Sequence, residues 1–290
     1  QTSFSNIKGL IDPKLISIRE FINLKNSLDK SSIKIIPHYN NIFPKNYFPN
    51  FDISYPFSLP LYCVPRKYTE NIRWIRSSLK SEGMIIWNNS HVAYLLNIRS
   101  FEIKNSTKPF AGLYIPKKNI KPILISDNKS LKQIDKLNKN FDLMSQKKFI
   151  SYILKSKINS LETSYNYSNY HIYLSLTKNI SIKDTKIDID KKISKKTKVE
   201  FNNIKKCHIQ DGISVTKFIL QSRNNNKLFK NEYSIAKNLY QLRKQGVNFF
   251  RNSFDYISAL DKNASIIHYK PSQVNSQKLS NQSLLLLDSG

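Results

Sequence analysis

Two side chains near the end of the chain have the types and the spacing of a chemical site. His268 lies in an apolar run, and Asp288 follows four consecutive leucines and begins an Asp-Ser-Gly sequence. A carboxylate after such an apolar strand is costly to bury without a partner, so it must face water, a helix end or a cation. Strand ends often carry ligand-binding groups, but an Asp-Ser-Gly turn explains Asp288 almost as well. The residues alone therefore leave a metal site and a structural turn both open, and a single His on a strand is more often a hydrogen-bonded core residue than a catalyst.

The rest of the chain contains no complete catalytic constellation. His208 and Asp211, three apart on one predicted helix face, could share a metal ion, but no third ligand is near in sequence and we expect a surface or capping role. The cysteines have no base beside them, and there is neither a Ser-His-Asp spacing nor a Gly-rich phosphate loop. The other histidines are isolated in the sequence: His38, His91 and His171.

Composition narrows the class of protein. The 290 residues carry a formal net charge of +27, and 40% of them are apolar, which is typical of a globular protein. The charge comes from lysines scattered along the chain, without an arginine cluster or a recognition-helix pattern, so nucleic-acid binding is the less favoured alternative. No apolar run approaches the roughly 20 residues of a membrane span. Cys63 and Cys207 have no disulfide or metal spacing, which indicates a reducing compartment.

Apolar periodicity predicts an α/β fold in which strands and helices alternate. We divide the chain into 1–55, the remnant of a first α/β domain; 56–192, a second α/β domain; and 193–290, the start of a third, incomplete domain. The second domain is predicted to hold strands at 84–87, 110–116, 121–126 and 169–176, with helices at 91–99, 130–141 and 149–161. The third is predicted to hold helices at 199–222 and after the N-cap Asn231, then strands at 254–260, 265–269 and 283–288.

Residues 253–290 resemble the entry to the catalytic domain of aminopeptidase P, the Xaa-Pro aminopeptidase of the pita-bread (creatinase-like) metallopeptidase family. This family has the pattern S-F-x-T-I-S-x-x-G-x-x-G-A-I-I-H-Y-x-P, followed by a strand that ends in D-S-G, and here the stretch begins SFDYISALDKNASIIHYKP. His268 and Asp288 keep the family's spacing of twenty positions. Weaker similarities to other family segments occur at 202–219, 91–103 and 9–15.

The resemblance implies a fold, an activity and a site. The fold would be a creatinase-like α/β domain followed by the start of an α+β pita-bread domain, truncated at the first metal ligand and inactive in that form. Asp288 would be the first ligand of two bridged divalent metal ions, commonly manganese, and His268 would contact the substrate. Substrates would be peptides with proline in second position, and the protein would be a cytoplasmic homodimer. A catalytically dead pita-bread relative that acts as a binding module is the alternative.

Several positions depart from the family pattern. Asp261 and Ala264 replace glycines in the segment before His268. Glycine is generally required where φ is positive or where the backbone approaches a ligand closely, so these two replacements bear on the conformation of the loop. In the stretch 91–103, three further residues differ from the family's usual Trp, Gly and Asp: Tyr94, Ser100 and Glu102.

Overall fold

The structure is a computed structural model that describes residues 7–28, 31, 33–39, 54–102, 105–224 and 229–290. The chain forms two compact units, Gln1–Lys195 and Lys196–Gly290. The predicted division at residue 55 stays a prediction, and most of the predicted proline-rich linker before it lies outside the described residues. Within the described part of the chain, no helix is both long enough and apolar enough to cross a membrane.

The first unit alternates strands and helices. In chain order its elements are β1 (Ile7–Ile11), α1 (Ile18–Leu28), β2 (Ile33–Pro37), β3 (Phe57–Ser58), α2 (Tyr68–Ser78), β4 (Gly83–Ile86), α3 (Asn89–Leu96), β5 (Ile98–Arg99), β6 (Gly112–Pro116), β7 (Ile123–Ile125), α4 (Asp135–Asn140), β8 (Asp142–Met144), α5 (Gln146–Lys155), β9 (Ser160–Thr163), α6 (Tyr170–Leu176), β10 (Ser181–Asp184) and α7 (Ile189–Ser194). The predicted α/β class is confirmed.

A six-stranded mixed sheet organises this unit, in the order β10-β9-β4-β6-β7-β8. β10, β9 and β4 run parallel to one another, whereas β6 is antiparallel to both β4 and β7. β4 is buried on both faces: Met84 and Ile86 enter one hydrophobic cluster and Ile85 enters the other. This alternation follows from the two-residue period of a strand, and it explains why a continuous apolar run predicted β4 correctly.

A helix follows β4 as predicted, but it spans Asn89–Leu96 rather than 91–99, and the strand pair after it agrees with the sequence. Asn88 caps α3 by accepting the backbone N–H groups of Ser90 and His91, and Asn97 ends the helix in the left-handed conformation with φ 51°. β6 and β7 form the antiparallel pair expected at 110–126. The strands were therefore predicted from their apolar runs alone, whereas the helix has both an apolar pattern and a cap.

The strand predicted at 169–176 is wrong, because this segment forms α6. Asn169 accepts the backbone N–H of Ile172 at 3.0 Å and so caps the helix. Ile172 and Leu176, four residues apart, are both buried. The segment has several β-branched and aromatic residues, whose strand preference is a weak prior that packing overrides. Its apolar residues fit a helical spacing as well as an alternating one.

The second unit contains α8 (Lys198–Asn224), α9 (Glu232–Lys244), β11 (Ile257–Leu260) and β12 (Leu285–Asp288). Its core includes Phe218, Phe229 and the predicted α9 stripe of Ile235, Leu239 and Leu242. β11 and β12 pair antiparallel, with Leu260 opposite Leu285 and Ile257 opposite Asp288. Both predicted helices and the two outer predicted strands are thus confirmed.

The strand predicted at 265–269 is wrong. Asp261–Ser265 forms a short 3-10 helix, and a turn follows it through His268. The side chain of Ile267 is 86% exposed, so the run is apolar without being part of the core. β12 is also less buried than its four leucines suggest, because Leu285 and Leu287 pack toward the core while the leucines between them and before them are exposed.

Candidate active site

Asp288 is the last residue of β12, where its side chain is exposed. The chain beyond it is held in place, since the backbone N–H of Ser253 donates to the carbonyl oxygen of Gly290 at 2.9 Å. Gly290 also lies so close to the ring of Phe254 that an added Cβ would come within 2.9 Å of it. A strand partner before Asp288 and a tether after it therefore fix the direction in which the backbone presents this carboxylate.

His268 lies in the exposed turn that follows the 3-10 helix, where its backbone φ is 57°. The turn is closed by the backbone N–H of Tyr269, which donates to the carbonyl oxygen of Ile266 at 3.1 Å. A positive φ is uncommon for a residue other than glycine. His268 is therefore an exposed turn residue with an unusual backbone, rather than the strand residue that the apolar run predicts.

Asp261 connects the loop that carries His268 to β12. It adopts a φ of 48°, which is the conformation expected where the family has glycine. Its Oδ1 accepts a hydrogen bond from the backbone N–H of Leu284 at 2.8 Å, and its Oδ2 accepts one from Nε2 of Gln277 at 2.8 Å. Its own N–H donates to the carbonyl oxygen of Leu284 at 3.0 Å. An aspartate tolerates the left-handed region better than most residues, and here its carboxylate adds bonds that a glycine lacks.

Glu232, the first residue of α9, accepts hydrogen bonds from the segment 260–277, which includes His268. Its side chain is fully buried. One carboxylate oxygen accepts the backbone N–H of Leu260 at 2.7 Å and the Asn263 amide at 2.9 Å. The other accepts the Tyr269 hydroxyl at 2.6 Å and the backbone N–H of Gln277 at 2.8 Å. A single buried carboxylate therefore connects four parts of the chain: the end of β11, the 3-10 helix, the residue after His268 and the segment before β12.

The pKa shifts in this cluster agree with an ionised carboxylate. Burial raises the pKa of Glu232, but the hydrogen bonds from Tyr269, Leu260, Asn263 and Gln277 lower it by more, so the net change is downward. Burial and the hydrogen bond to Glu232 raise the pKa of the Tyr269 hydroxyl to about 12. Glu232 is therefore an anion and Tyr269 a neutral donor throughout the physiological pH range.

The described residues by themselves do not form the ligand set for a metal pair. No group of three or more His, Cys, Asp and Glu side chains among them could hold a metal ion. Asp288 supplies a hard oxygen donor of the type that manganese binds, but a single carboxylate does not hold two ions. Asp211 is not a metal ligand with His208, because it forms an ion pair with Arg243 of α9 at 2.6 Å. The residues present thus account for one expected ligand only.

Sequence reasoning missed Glu232 as an organising residue. Acidic residues are common in the first turn of any helix because they interact favourably with the helix dipole, so its position gave no particular signal. The four donors come from segments up to 45 positions away. Only the folded chain shows that they converge on one carboxylate.

Curated relatives match this chain along most of its length. A probable Xaa-Pro aminopeptidase P from Talaromyces stipitatus is 23% identical over 301 aligned residues, which cover 97% of this chain and 45% of the relative. One from Tuber melanosporum is 26% identical and covers 76% of this chain. No profile of a protein family matches the chain. The chain spans about half the length of the curated relatives it matches.

Solved structures decide the fold. The X-prolyl aminopeptidase of Caenorhabditis elegans, described as a cytosolic enzyme with a di-nuclear active site, matches 99% of this chain with a TM-score of 0.82 at 19% identity. The chain has the fold of the X-prolyl aminopeptidases. The match covers 49% of the C. elegans chain. An Xaa-Pro dipeptidase of Bacillus anthracis matches 77% of this chain with a TM-score of 0.53. The resemblance read from the sequence and the creatinase-like, pita-bread fold class are therefore confirmed.

Proposed function

We propose that the protein to which this chain belongs is a metal-dependent aminopeptidase that hydrolyses the bond between an N-terminal residue and a following proline. The observation that carries the proposal is the match of 99% of the chain to the C. elegans enzyme. The sequence pattern around His268 and Asp288 supports it independently of the fold. The hydrogen bonds that hold the segment around His268 and the end of β12 also support it, since a site needs side chains on a fixed backbone.

In this proposal two exposed side chains of the second unit serve the site. Asp288 contributes one carboxylate ligand to a pair of divalent ions, for which manganese suits a hard oxygen donor. Such a pair, when bound, supplies an activated water and polarises the scissile carbonyl. His268 contacts the substrate, and Glu232 holds the chain on both sides of it through the backbone N–H of Leu260 and the side-chain hydroxyl of Tyr269. We propose that the 290 residues alone lack peptidase activity, because their described part provides one of the expected ligands.

The proposal extends to location and assembly. The C. elegans neighbour is described as cytosolic, and the lack of disulfide spacing between Cys63 and Cys207 agrees with a cytoplasmic protein. A homodimer is the expected assembly, and sedimentation of the whole protein measures it directly. The scattered lysines give no specific support to nucleic-acid binding.

The test uses the whole protein with Mn²⁺ and a peptide that has proline in second position. We expect release of the first residue, and a loss of more than about 100-fold in the Asp288→Ala variant, since removal of a direct ligand exceeds the effect of an outer partner. Asp142→Ala, an exposed aspartate of β8 in the first unit, is the matched control. Full turnover by Asp288→Ala would refute the ligand assignment. A wild-type protein that releases nothing would favour the catalytically dead relative instead.

A further inference from the structure

An ion pair connects the turn that carries His268 with the strand pair that ends at Asp288. The ammonium group of Lys270, two residues after His268, lies 3.1 Å from a carboxylate oxygen of Asp255. Asp255 comes two residues before Ile257, which lies directly opposite Asp288 in the pairing of β11 with β12. The contact therefore joins the two segments in which the sequence resemblance places site residues.

Burial places Asp255 and Asp288 on the same, outward face of this strand pair. Residues 255–258 alternate between half-buried and buried, and Asp255 and Ile257 are the half-buried ones. On the partner strand Leu287 packs toward the core, whereas the next residue, Asp288, is exposed. Successive side chains of a strand point to opposite faces, so both carboxylates lie on the face away from the core. Lys270 thus reaches the face that presents the proposed metal ligand.

The turn itself requires support, because His268 has a φ of 57°. A residue other than glycine keeps such a backbone only where the surrounding structure fixes it. One support is the Tyr269 hydroxyl, which donates to Glu232 at 2.6 Å. The next residue, Lys270, precedes Pro271, and a residue before proline is largely restricted to extended conformations. Because the Lys270 backbone is restricted in this way, an ion pair that holds its side chain also holds the turn.

The exposure of the pair indicates a role in position rather than in stability. The side chain of Lys270 is 67% exposed and that of Asp255 is 32% exposed. Exposed ion pairs contribute little to the free energy of unfolding and are weakened by salt. The family pattern leaves the positions of both residues unspecified, so the pair is not part of what the resemblance implies. Its loss should therefore leave the second unit folded and change only the local order of the turn.

We propose that the ion pair between Asp255 and Lys270 positions His268, by holding its turn against the face of the strand pair that presents Asp288. Lys270 is a positioning residue: it acts through the His268 imidazole and does not touch the reacting atoms. The inference rests on the proposed peptidase function, in which His268 contacts the substrate and Asp288 a metal ion. It adds a second support for the turn, on the side of the strand pair, to the one that Glu232 provides from α9.

The first test is a double-mutant cycle in the whole protein, with Mn²⁺ and a peptide that has proline in second position. Lys270→Met should lower kcat/KM by about fivefold, because a misplaced imidazole meets the substrate less often. Lys270→Arg keeps a cation for Asp255 and should stay within about twofold of the wild type. In the His268→Ala background, Lys270→Met should have no further effect, since no imidazole is left to position. Lys262→Met, at an exposed lysine of the 3-10 helix, is the matched control and should turn over like the wild type.

The second readout is independent of metal and of turnover. The backbone N–H of Tyr269 closes the turn by donating to the carbonyl oxygen of Ile266. In the whole protein without added metal, Lys270→Met should speed hydrogen exchange of this N–H by at least about threefold and leave the α9 amides unchanged. A wild-type protein that releases nothing would refute the proposed function, and this exchange would still decide whether the ion pair holds the turn. Unchanged exchange in Lys270→Met, unchanged turnover by Lys270→Met of an active protein, or an equal loss with and without His268 would overturn the positioning role.

Discussion

Substitution of Glu232 by glutamine tests whether one buried carboxylate organises the second unit. The carboxylate accepts two donors on each oxygen: Leu260 N–H and Asn263 on one, and Tyr269 and Gln277 N–H on the other. A glutamine keeps one oxygen but places an NH₂ group against the other pair of donors. The Tyr269 hydroxyl can rotate to accept from it, whereas a backbone N–H cannot, so at least one donor–donor contact remains.

The size of the effect follows from these four bonds. Each hydrogen bond to a charged group contributes about 1.5–3 kcal/mol, and Glu232→Gln loses one outright and weakens the others. We therefore expect the free energy of unfolding of the second unit to fall by about 2–3 kcal/mol, a large part of the 5–15 kcal/mol of a typical domain. With a urea dependence of about 1–2 kcal/mol per molar, the midpoint shifts by roughly 1–3 M.

The assay separates the two units. Both tryptophans, Trp74 and Trp87, lie in the first unit, so their fluorescence reports on that unit. Hydrogen exchange of the α9 amides reports on the second unit. Glu232→Gln should speed exchange in α9 and leave the fluorescence transition in place. Glu200→Gln, which alters a carboxylate that accepts hydrogen bonds from Thr197 at the start of α8, is the matched control and should change stability by less than about 0.5 kcal/mol.

The pH dependence gives a second readout of the same carboxylate. The folded-state pKa of Glu232 lies below its ordinary value of 4.5. Its contribution to stability is therefore present above pH 4.5 and is lost as the pH falls through the lower, folded-state pKa. Wild-type protein should lose stability more steeply than Glu232→Gln in that acid range. Exchange in α9 that is the same for Glu232→Gln and wild type, at neutral pH, would refute the organising role.

Two further predictions concern the same unit. Arg243→Met removes the ion pair between the Arg243 guanidinium, which is 4% exposed, and Asp211, which is about half exposed. Because the Asp211 charge stays partly solvated, we expect the free energy of unfolding in urea to fall by about 1–2 kcal/mol. Unchanged stability would show that the pair contributes nothing. Asp261→Ala and Asp261→Gly both remove the side-chain bonds to Leu284 and Gln277, but only alanine keeps a Cβ at the φ of 48°. Because glycine tolerates this φ, the alanine variant should be about 1 kcal/mol less stable than the glycine variant. An equal or smaller loss for alanine would contradict the left-handed backbone.

The sequence pattern by itself determined the elements whose local signals agree. β4 is an apolar run of strand length, and α9 has the predicted asparagine cap before an apolar stripe; both form where predicted, and α3 overlaps the predicted helix 91–99. The strand that ends at Asp288 was also predictable, because its apolar run stops at an Asp-Ser-Gly sequence. In these segments the signals are local, since a cap and a periodic face are properties of consecutive residues. The family resemblance added the fold, because the segments that carry it are spread along the chain from 9–15 to 253–290.

Tertiary structure alone decided the features that depend on partners distant in sequence. Segment 169–176 became a helix because its apolar face packs in the core, against a weak strand preference. His268 lies in a turn and not in a strand, because Leu260 and Tyr269, on either side of it, both donate hydrogen bonds to the Glu232 carboxylate. Trp87, Tyr167 and Asp190 line one cavity of the first unit because β4, β9 and β10, which are separate in sequence, lie side by side in the sheet. Convergence of this kind has no signature in consecutive residues, since hydrogen-bond partners and cavity walls are defined only once the chain has folded.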